Sequence, residues 1–249
     1  MGVTTVCILI IIFIATLIRS TFGFGESLVA VPLLILFIPV EIAVPLSVLI
    51  SITIAVVVVI QDHQQIHFDS AKWLIIFAIM GIPLGLLILI YGNEQLVKLG
   101  LGLLIIVYAL YSLFWKRTIQ LESDNKGWLF ICGFLSGIFG GAYGINGPPL
   151  VLYGNMRSWS AKHFRATLQA YFLVASIIGM FGYWYKGLWT SVVTYNFLIT
   201  LPVVIPTIFL GRYLNNKLKD DSFFKYIYYG LIGVGLILLF QSFAKIHLI

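Results

Sequence analysis

Long apolar runs separated by short polar segments make up most of the chain. Six of these runs have the length of about 20 residues that a helix needs to cross a bilayer. They lie at 42–60, 71–91, 96–114, 166–182, 191–210 and 223–243. This pattern predicts six ordinary transmembrane helices.

Two further apolar stretches, 3–38 and 127–156, are too long for one helix, and each contains a glycine-rich break. The first break covers residues 20–27 and the second covers residues 140–149. Backbone that leaves helical geometry inside a bilayer survives only where protein or a water-filled cavity covers its polar groups. Breaks at matching places in the two halves therefore predict a binding site.

The pieces on either side of the second break, 127–139 and 148–156, are short for independent crossings, because a helix rises only about 1.5 Å per residue. Each broken stretch is therefore expected to form either a hairpin of two half-helices or a single helix broken at the midplane. The two arrangements place the loops on different sides of the membrane.

Loop charge favours the hairpins. With hairpins, one face carries eleven Lys or Arg residues and the other carries three, whereas single crossings give eight against six. The eleven residues are Lys72, Lys116, Arg117, Lys126, Arg157, Lys162, Arg165, Arg212, Lys217, Lys219 and Lys225. Because cytoplasmic loops are enriched in Lys and Arg, the basic loops are predicted to be cytoplasmic and both termini outside.

With a hairpin followed by three crossings, each half crosses the membrane an odd number of times. The second half must therefore be inverted relative to the first. We therefore predict an all-α polytopic membrane protein with two inverted repeats, each a broken or re-entrant helical hairpin plus three transmembrane helices. The predicted repeats are 1–114 and 127–249, joined by a cytoplasmic linker at 115–126. Inverted repeats are a common plan for secondary transporters.

Composition agrees with a membrane protein. The chain is 61% hydrophobic and 10% charged, with a mean hydropathy of +1.05, which leaves too little polar surface for a soluble globule. The net charge of +6 belongs to loops that orient helices, so no nucleic-acid partner is predicted. Cys7 and Cys132 lie in apolar runs and are expected to be structural. His63 and His67 are expected in a solvated loop, and neither a metal nor a cofactor is predicted.

The first break reads Phe22-Gly23-Phe24-Gly25-Glu26-Ser27, and the second reads Gly140-Gly141-Ala142-Tyr143-Gly144-Ile145-Asn146-Gly147-Pro148-Pro149. These two sequences resemble the TauE/SafE sulfite exporter family. The resemblance extends over nearly the whole chain. It implies a multi-pass permease that moves small sulfur-containing or carboxylated organic anions, without fixing the substrate.

An anionic substrate also follows from the physics of helix ends. Half-helices beginning near Ser27 and Gly147 would direct unpaired amide groups and a positive dipole end toward the breaks. The candidate substrate-binding residues are Arg19, Ser20, Thr21, Gly23, Gly25, Glu26, Ser27, Gly141, Tyr143, Gly144, Asn146, Gly147, Pro148, Ser47 and Gln169.

Arg19 is the most informative single residue, because it should lie deep in the membrane just before the first break. It either binds the anion bidentately or pairs with Glu26 to brace the hairpin, and the two contacts could alternate. Glu26 is a candidate for proton coupling if desolvation raises its pKa.

These features lead to the hypothesis of a secondary carrier in the plasma membrane, in which a site at the midplane opens alternately to each side. A passive anion channel and a scaffold that does not transport are the alternatives. No ATP-binding loop and no motif of a hydrolase or metalloprotease stands in the apolar segments, so neither an enzyme nor a catalytic residue is predicted. The oligomeric state stays open.

Overall fold

The computed structural model describes residues 2–114, 120–159, 161–215, 232–233, 235–237 and 239–240, and every regular element in these residues is helical. The helices are α1 (Val3–Phe22), α2 (Glu26–Leu34), α3 (Val40–Asp62), α4 (Phe68–Tyr91), α5 (Glu94–Phe114), α6 (Lys126–Tyr143), α7 (Gly147–Met156), α8 (Ala161–Tyr185) and α9 (Ser191–Asn215). A single turn of 3₁₀ helix, His63–Gln65, follows α3. The protein is thus all-α.

Five helices in the described part of the chain are long and apolar enough to cross a membrane. They are Val3–Phe22, Val40–Gln65, Phe68–Tyr91, His163–Tyr185 and Ser191–Asn215. The predicted crossings at 42–60, 71–91, 96–114, 166–182 and 191–210 all fall on helices, which confirms a polytopic membrane protein. Most of the predicted run 223–243 and residues 115–119 of the predicted linker lie outside the described residues.

The breaks are narrower than the sequence predicts. The expectation of two half-helices in each broken stretch is wrong for α1 and α6, which are longer than half-helices. Helix α1 has 20 residues and α6 has 18, whereas α2 and α7 have 9 and 10. Only residues 23–25 and 144–146 leave helical geometry. The helix continues through Gly140 and Gly141 because these glycines serve close packing rather than chain reversal.

Helices α4 and α6 run parallel with their backbones in close contact. A Cβ atom added to a glycine of α6 would meet a carbonyl oxygen of α4 at Gly133 (Leu74, 2.8 Å), Gly137 (Ala78, 2.3 Å) and Gly141 (Ile82, 2.3 Å). Each step of four residues on α6 matches four residues on α4. Small residues at membrane helix interfaces permit this approach, so side chains larger than hydrogen are excluded from the seam.

The second break is a hairpin turn. Asp124 precedes α6, Arg157 follows α7, and the Nε atom of Arg157 donates to Oδ1 of Asp124 at 2.9 Å. The two ends of the α6–α7 pair therefore meet at one end of the bundle, which we call the linker end. Helix α6 stops beside Gly85, before α4 ends at Tyr91, so the turn lies inside the bundle.

The first break also reverses the chain. Helix α1 packs along α9, and their C-terminal parts meet where Ser20 contacts Gly211 and where the side-chain amide of Asn215 donates to the carbonyl of Thr21. Helix α3 ends at this same end, since Asp62 lies 3.6 Å from Arg212 of α9. Because α3 starts at the opposite end, α2 must carry the chain back, and α1 and α2 form a hairpin.

Contacts between the halves are reciprocal. Gly23 and Gly144 are 121 positions apart, and Gly23 packs against Arg165 of α8 while Gly144 packs against Val44 of α3, another pair 121 positions apart. Likewise α6 of the second half packs on α4 of the first, and α1 packs on α9. A duplicated chain would produce this reciprocity, and the inversion of the repeats across a membrane stays a prediction.

Asp124 ties the polar segments together at the linker end. It accepts hydrogen bonds from Ser70 (2.7 Å), Tyr153 (2.8 Å) and Arg157 (2.9 Å). Burial acts to raise the pKa of Asp124, but these hydrogen bonds and the charge of Arg157 outweigh it, so the pKa lies below its usual range. The carboxylate is therefore charged near neutral pH and joins the starts of α4 and α6 to the end of α7.

Candidate functional site

Both breaks line one small buried cavity, which we call the central cavity. The first break and the start of α2 contribute Gly25, Glu26 and Ser27, and the second break contributes Gly144 and Asn146. Its volume is about 20 Å³, which accommodates about one water molecule. The two interruptions of the helices thus converge on a single small space.

Arg19 forms part of the wall of the central cavity and is only 3% exposed. Its guanidinium donates to Ser51 Oγ at 2.6 Å, to Gln169 Oε1 at 2.8 Å and to Glu26 Oε2 at 3.3 Å. The guanidinium carbon also lies 4.7 Å from the ring centroid of Phe172, within the range of a cation–π contact. Ser51 is the central residue of α3, so the charge of Arg19 sits halfway along a spanning helix.

Glu26 is the anion of the central cavity and has no exposed surface. Its carboxylate accepts hydrogen bonds from Ser47 (2.8 Å), from Ser27 (2.8 Å) and from Arg19. As the first residue of α2, it also lies where a helix dipole favours negative charge. The carboxylate of Glu26 therefore occupies the position that a bound anion would favour.

The first break is shaped by two glycines in the left-handed region. Gly23 has φ +89° and Gly25 has φ +96°, values that side-chain-bearing residues rarely adopt. The carbonyl of Gly23 accepts a hydrogen bond of 2.6 Å from Nε2 of Gln169, whose Oε1 accepts from Arg19. One glutamine of α8 therefore holds both the freed backbone and the buried cation.

The second break is held by hydroxyl groups instead of charges. Ser136 donates to the carbonyl of Asn146 at 2.6 Å and accepts from the hydroxyl of Tyr171 at 2.8 Å. The hydroxyl of Tyr183 contacts the carbonyls of Gly140 and Gly141 at 3.0 and 2.8 Å. These bonds hold a carbonyl of the break, that of Asn146, and two carbonyls of the last turn of α6, of which that of Gly140 also accepts from the N–H of Gly144 at 2.9 Å.

The two short helices do not supply equal numbers of amide donors. The first residues of α2 are Glu26, Ser27 and Leu28, each with an N–H group. Helix α7 begins with Gly147, Pro148 and Pro149, and proline has no N–H group. The expectation of several unpaired amides therefore stays a prediction for α2, and α7 can contribute fewer because two of its first three residues are prolines.

The halves also differ at the position of Arg19. Gly140 lies 121 positions after Arg19, just as Asn146 lies 121 positions after Gly25. A Cβ atom at Gly140 would collide with the side-chain oxygen of Asn146. The second half therefore replaces the cation by a glycine and fills the space with the Asn146 amide.

Most of the predicted site residues lie at the central cavity or contact its lining. Arg19, Gly25, Glu26, Ser27, Gly144, Asn146, Gly147 and Pro148 line it. Ser47 bonds to Glu26, and Gln169 connects Arg19 with Gly23.

Four predicted residues face neighbouring helices instead of the cavity. Ser20 packs on Gly211, and the hydroxyl of Thr21 donates to the carbonyl of Leu17 in its own helix. Gly141 packs on α4, and the hydroxyl of Tyr143 points toward Gly100 of α5.

The candidate residues drawn from the sequence do not include Ser51, Phe24 or Phe172, which also line the cavity. Ser51 and Phe172 are 121 positions apart, as are the glycines of the two breaks, so aligning the halves through α3 and α8 would have paired them. Phe24 stands between the two glycines of the first break.

Comparison with known proteins gives a family. The family model for sulfite exporter TauE/SafE matches residues 8–239. A relative named probable sulfite/organosulfonate exporter TauE, from Cupriavidus necator, is 26% identical over 176 residues, covering 69% of this chain and 68% of the relative. No solved structure matches the chain. With the match extending through both breaks and the helices around them, the chain belongs to the sulfite exporter TauE/SafE family.

Proposed function

We propose that the protein is a secondary transporter of small anions, with sulfite and organosulfonates as the leading substrates and carboxylates as a related class. The observation that carries this proposal is the convergence of two helix breaks on one buried cavity that holds Arg19. A charged side chain inside a membrane is costly, and such residues mark substrate pathways. The name of the Cupriavidus necator relative supports sulfite and sulfonate as the first anions to test.

Arg19 is the proposed binding group for the anion. In the structure the charge of Arg19 is balanced by Glu26, 3.3 Å away. This separation is longer than the 2.7–2.9 Å or so of a strong charge-assisted hydrogen bond, so an oxyanion with better geometry can replace the carboxylate. Arg19 then alternates between Glu26 when the site is empty and substrate when it is loaded.

The first turn of α2 supplies the second half of the proposed site. Its N–H groups and the hydroxyl of Ser27 lie beside the cavity on the side of Glu26. Helix N-termini bind sulfate, phosphate and carboxylate groups through such amides. Tetrahedral oxyanions can therefore contact a guanidinium and a cluster of amides at once.

Alternating access is proposed because the central cavity is too small for its substrate. A space of about 20 Å³ accommodates about one water molecule, so sulfite or a sulfonate requires the hairpins to separate. In the proposed cycle the two repeats are inverted, and the cavity opens to one face at a time, as in other carriers with inverted repeats. The basic loops are proposed to face the cytoplasm of a cell whose plasma membrane holds the protein.

A test by counterflow separates a carrier from a passive channel. Purified protein is reconstituted into vesicles loaded with sulfite, ethanesulfonate or acetate, and uptake of labelled sulfite is followed. We expect loading with sulfite or ethanesulfonate to accelerate uptake, and uptake to saturate with concentration. A conductive flux that does not saturate, and whose rate does not depend on the anion inside the vesicles, would instead support the channel.

Proton coupling through Glu26 gives a second expectation. When the anion binds Arg19, the Glu26 carboxylate loses its partner inside the bundle, and taking up a proton removes the cost of that buried charge. In Glu26→Gln the side chain cannot titrate. Removing one partner of the ion pair lowers the amount of folded protein, but per unit of folded protein we expect counterflow to persist while accumulation driven by a pH gradient disappears.

Glu41→Gln is the matched control, because Glu41 lies in the first turn of α3 and away from the central cavity. This variant should keep both counterflow and accumulation. Accumulation with unchanged pH dependence in Glu26→Gln would show that the proton is carried elsewhere.

A further inference from the structure

A second and much larger cavity opens beside the first break at the linker end. Its volume is about 610 Å³, within the range of roughly 300–1,000 Å³ that is typical of small-molecule sites. Asp62 at the end of α3, Arg165 near the start of α8 and Arg212 near the end of α9 line it. We call it the Arg165 cavity.

Arg165 is buried there without adequate partners. The residue is 8% exposed, and its Nε and Nη2 atoms have no hydrogen-bond partner among the described residues. Among these residues its nearest opposite charge is Asp62, with 3.5 Å between Nε and Oδ2. A buried polar group without a hydrogen bond is costly, so this guanidinium is an unfilled donor facing a cavity.

Asp62 is shared between two cations. Its other carboxylate oxygen lies 3.6 Å from Nη2 of Arg212, and both separations exceed the 2.7–2.9 Å or so of a charge-assisted hydrogen bond. Two guanidiniums against one carboxylate leave this cluster with a net positive charge. The lining of the cavity therefore attracts anions and holds its own carboxylate loosely.

We propose that the Arg165 cavity is a second anion site, in which sulfite or a sulfonate displaces the Asp62 carboxylate and bridges Arg165 and Arg212. This inference rests on the proposed transport function and adds a waiting position at the linker end. Gln61 lines the same cavity with a buried amide oxygen that has no partner in the described part of the chain, and turning that amide presents its NH₂ group to an anion.

The Arg165 cavity and the central cavity are separated by one layer of residues. The Arg165 side chain packs on Gly23, where an added Cβ would lie 3.0 Å from its Cγ. Gln169 bonds both to the carbonyl of Gly23 and to Arg19 on the other side. Phe164 of the Arg165 cavity also meets Phe24 of the central cavity edge to face, with ring centroids 6.1 Å apart. An anion held by Arg165 therefore waits one step from Arg19.

Equilibrium binding of labelled sulfite to purified protein tests this site separately from transport. The background is the double variant Arg19→Gln/Glu26→Gln, which removes both charges of the central cavity together. We expect sulfite binding to persist in this background and to weaken about tenfold or more when Arg165→Gln removes the charged donor. Arg212→Gln should also weaken sulfite binding. Because the Arg212 side chain is 42% exposed, this substitution should leave the fold intact.

Asp62→Asn gives the outcome that a structural role cannot imitate. Removing the internal competitor should tighten sulfite binding about tenfold, whereas loss of a merely bracing ion pair would weaken it or leave it unchanged. Lys72→Gln is the matched control, because Lys72 is an exposed cation at the same end of the molecule and does not line the cavity. It should bind sulfite like the background.

Absence of binding in the background, or binding that Asp62→Asn does not tighten, would overturn the second site. Wild-type counterflow would be unaffected by that result, and only the waiting position would be lost. If the wild-type protein showed neither counterflow nor conductive flux of any tested anion, the transport function itself would fail, whatever sulfite binds to Arg165.

Discussion

Replacing Arg19 by glutamine should abolish transport and reduce the amount of folded protein. Glu26 is fully buried and depends on Arg19 for its opposite charge. Removing one partner of a buried ion pair costs about 3–5 kcal/mol. This loss alone would lower flux through lower abundance, so the single variant cannot distinguish a binding residue from a brace.

The double variant Arg19→Gln/Glu26→Gln makes that distinction. It restores charge balance in the central cavity, so thermal stability and abundance in the membrane should recover much of what Arg19→Gln loses. Counterflow of labelled sulfite should stay at background level, because no cation remains in the central cavity to hold the anion. Wild-type exchange by the double variant would show that Arg19 serves the fold alone.

Gly23→Ala should be the most damaging small substitution in the first break. At φ +89° a side chain costs about 1–2 kcal/mol of backbone strain. The added Cβ would also lie 3.0 Å from Cγ and 3.2 Å from Cβ of Arg165, and such overpacking costs about 1–3 kcal/mol. A total destabilisation of roughly 2–5 kcal/mol follows, with exchange lost as the hairpin shifts from Gln169.

Gly187→Ala is the matched control for this substitution. Gly187 also has positive φ, at +73°, but nothing lies within 4 Å of the Cβ that alanine would add. Gly187→Ala should introduce backbone strain without a clash of the added Cβ atom. We expect a small decrease in melting temperature and normal anion exchange. Equal loss of stability in the two variants would mean that the close packing of Arg165 on Gly23 contributes nothing to the effect.

The helices at five predicted crossings could be predicted because bilayer thickness sets the length of an apolar run, and the location of the breaks could be predicted because glycines interrupt such runs. A run such as 42–60 must be a helix, and residues such as Gly23 and Gly144 interrupt an apolar run visibly. The lengths of α1 and α6 could not be read in the same way. Whether Gly141 ends a helix or packs it on α4 depends on a partner that lies more than fifty residues away in sequence.

The charged residues of the central cavity could be predicted from the sequence, whereas its uncharged lining residues were harder to predict. Arg19 stood out because a charge inside an apolar run is costly unless it serves a site or an ion pair, and it bonds to Glu26 and Gln169, both predicted site residues. Tyr143 and Ser20 were included through proximity to the breaks, yet a helix turns about 100° per residue, so neighbours in sequence face different helices. Phe172 carried no polar signal at all.

The seam between α4 and α6 determines what can move as a body. Glycines at 133, 137 and 141 lock the second hairpin along a helix of the first half, and α1 is likewise fastened along α9. A hairpin is therefore expected to move together with a long helix from the other half of the chain. Each moving unit would then contain helices from both halves, so labels placed one on each half would not report the motion of two separate halves.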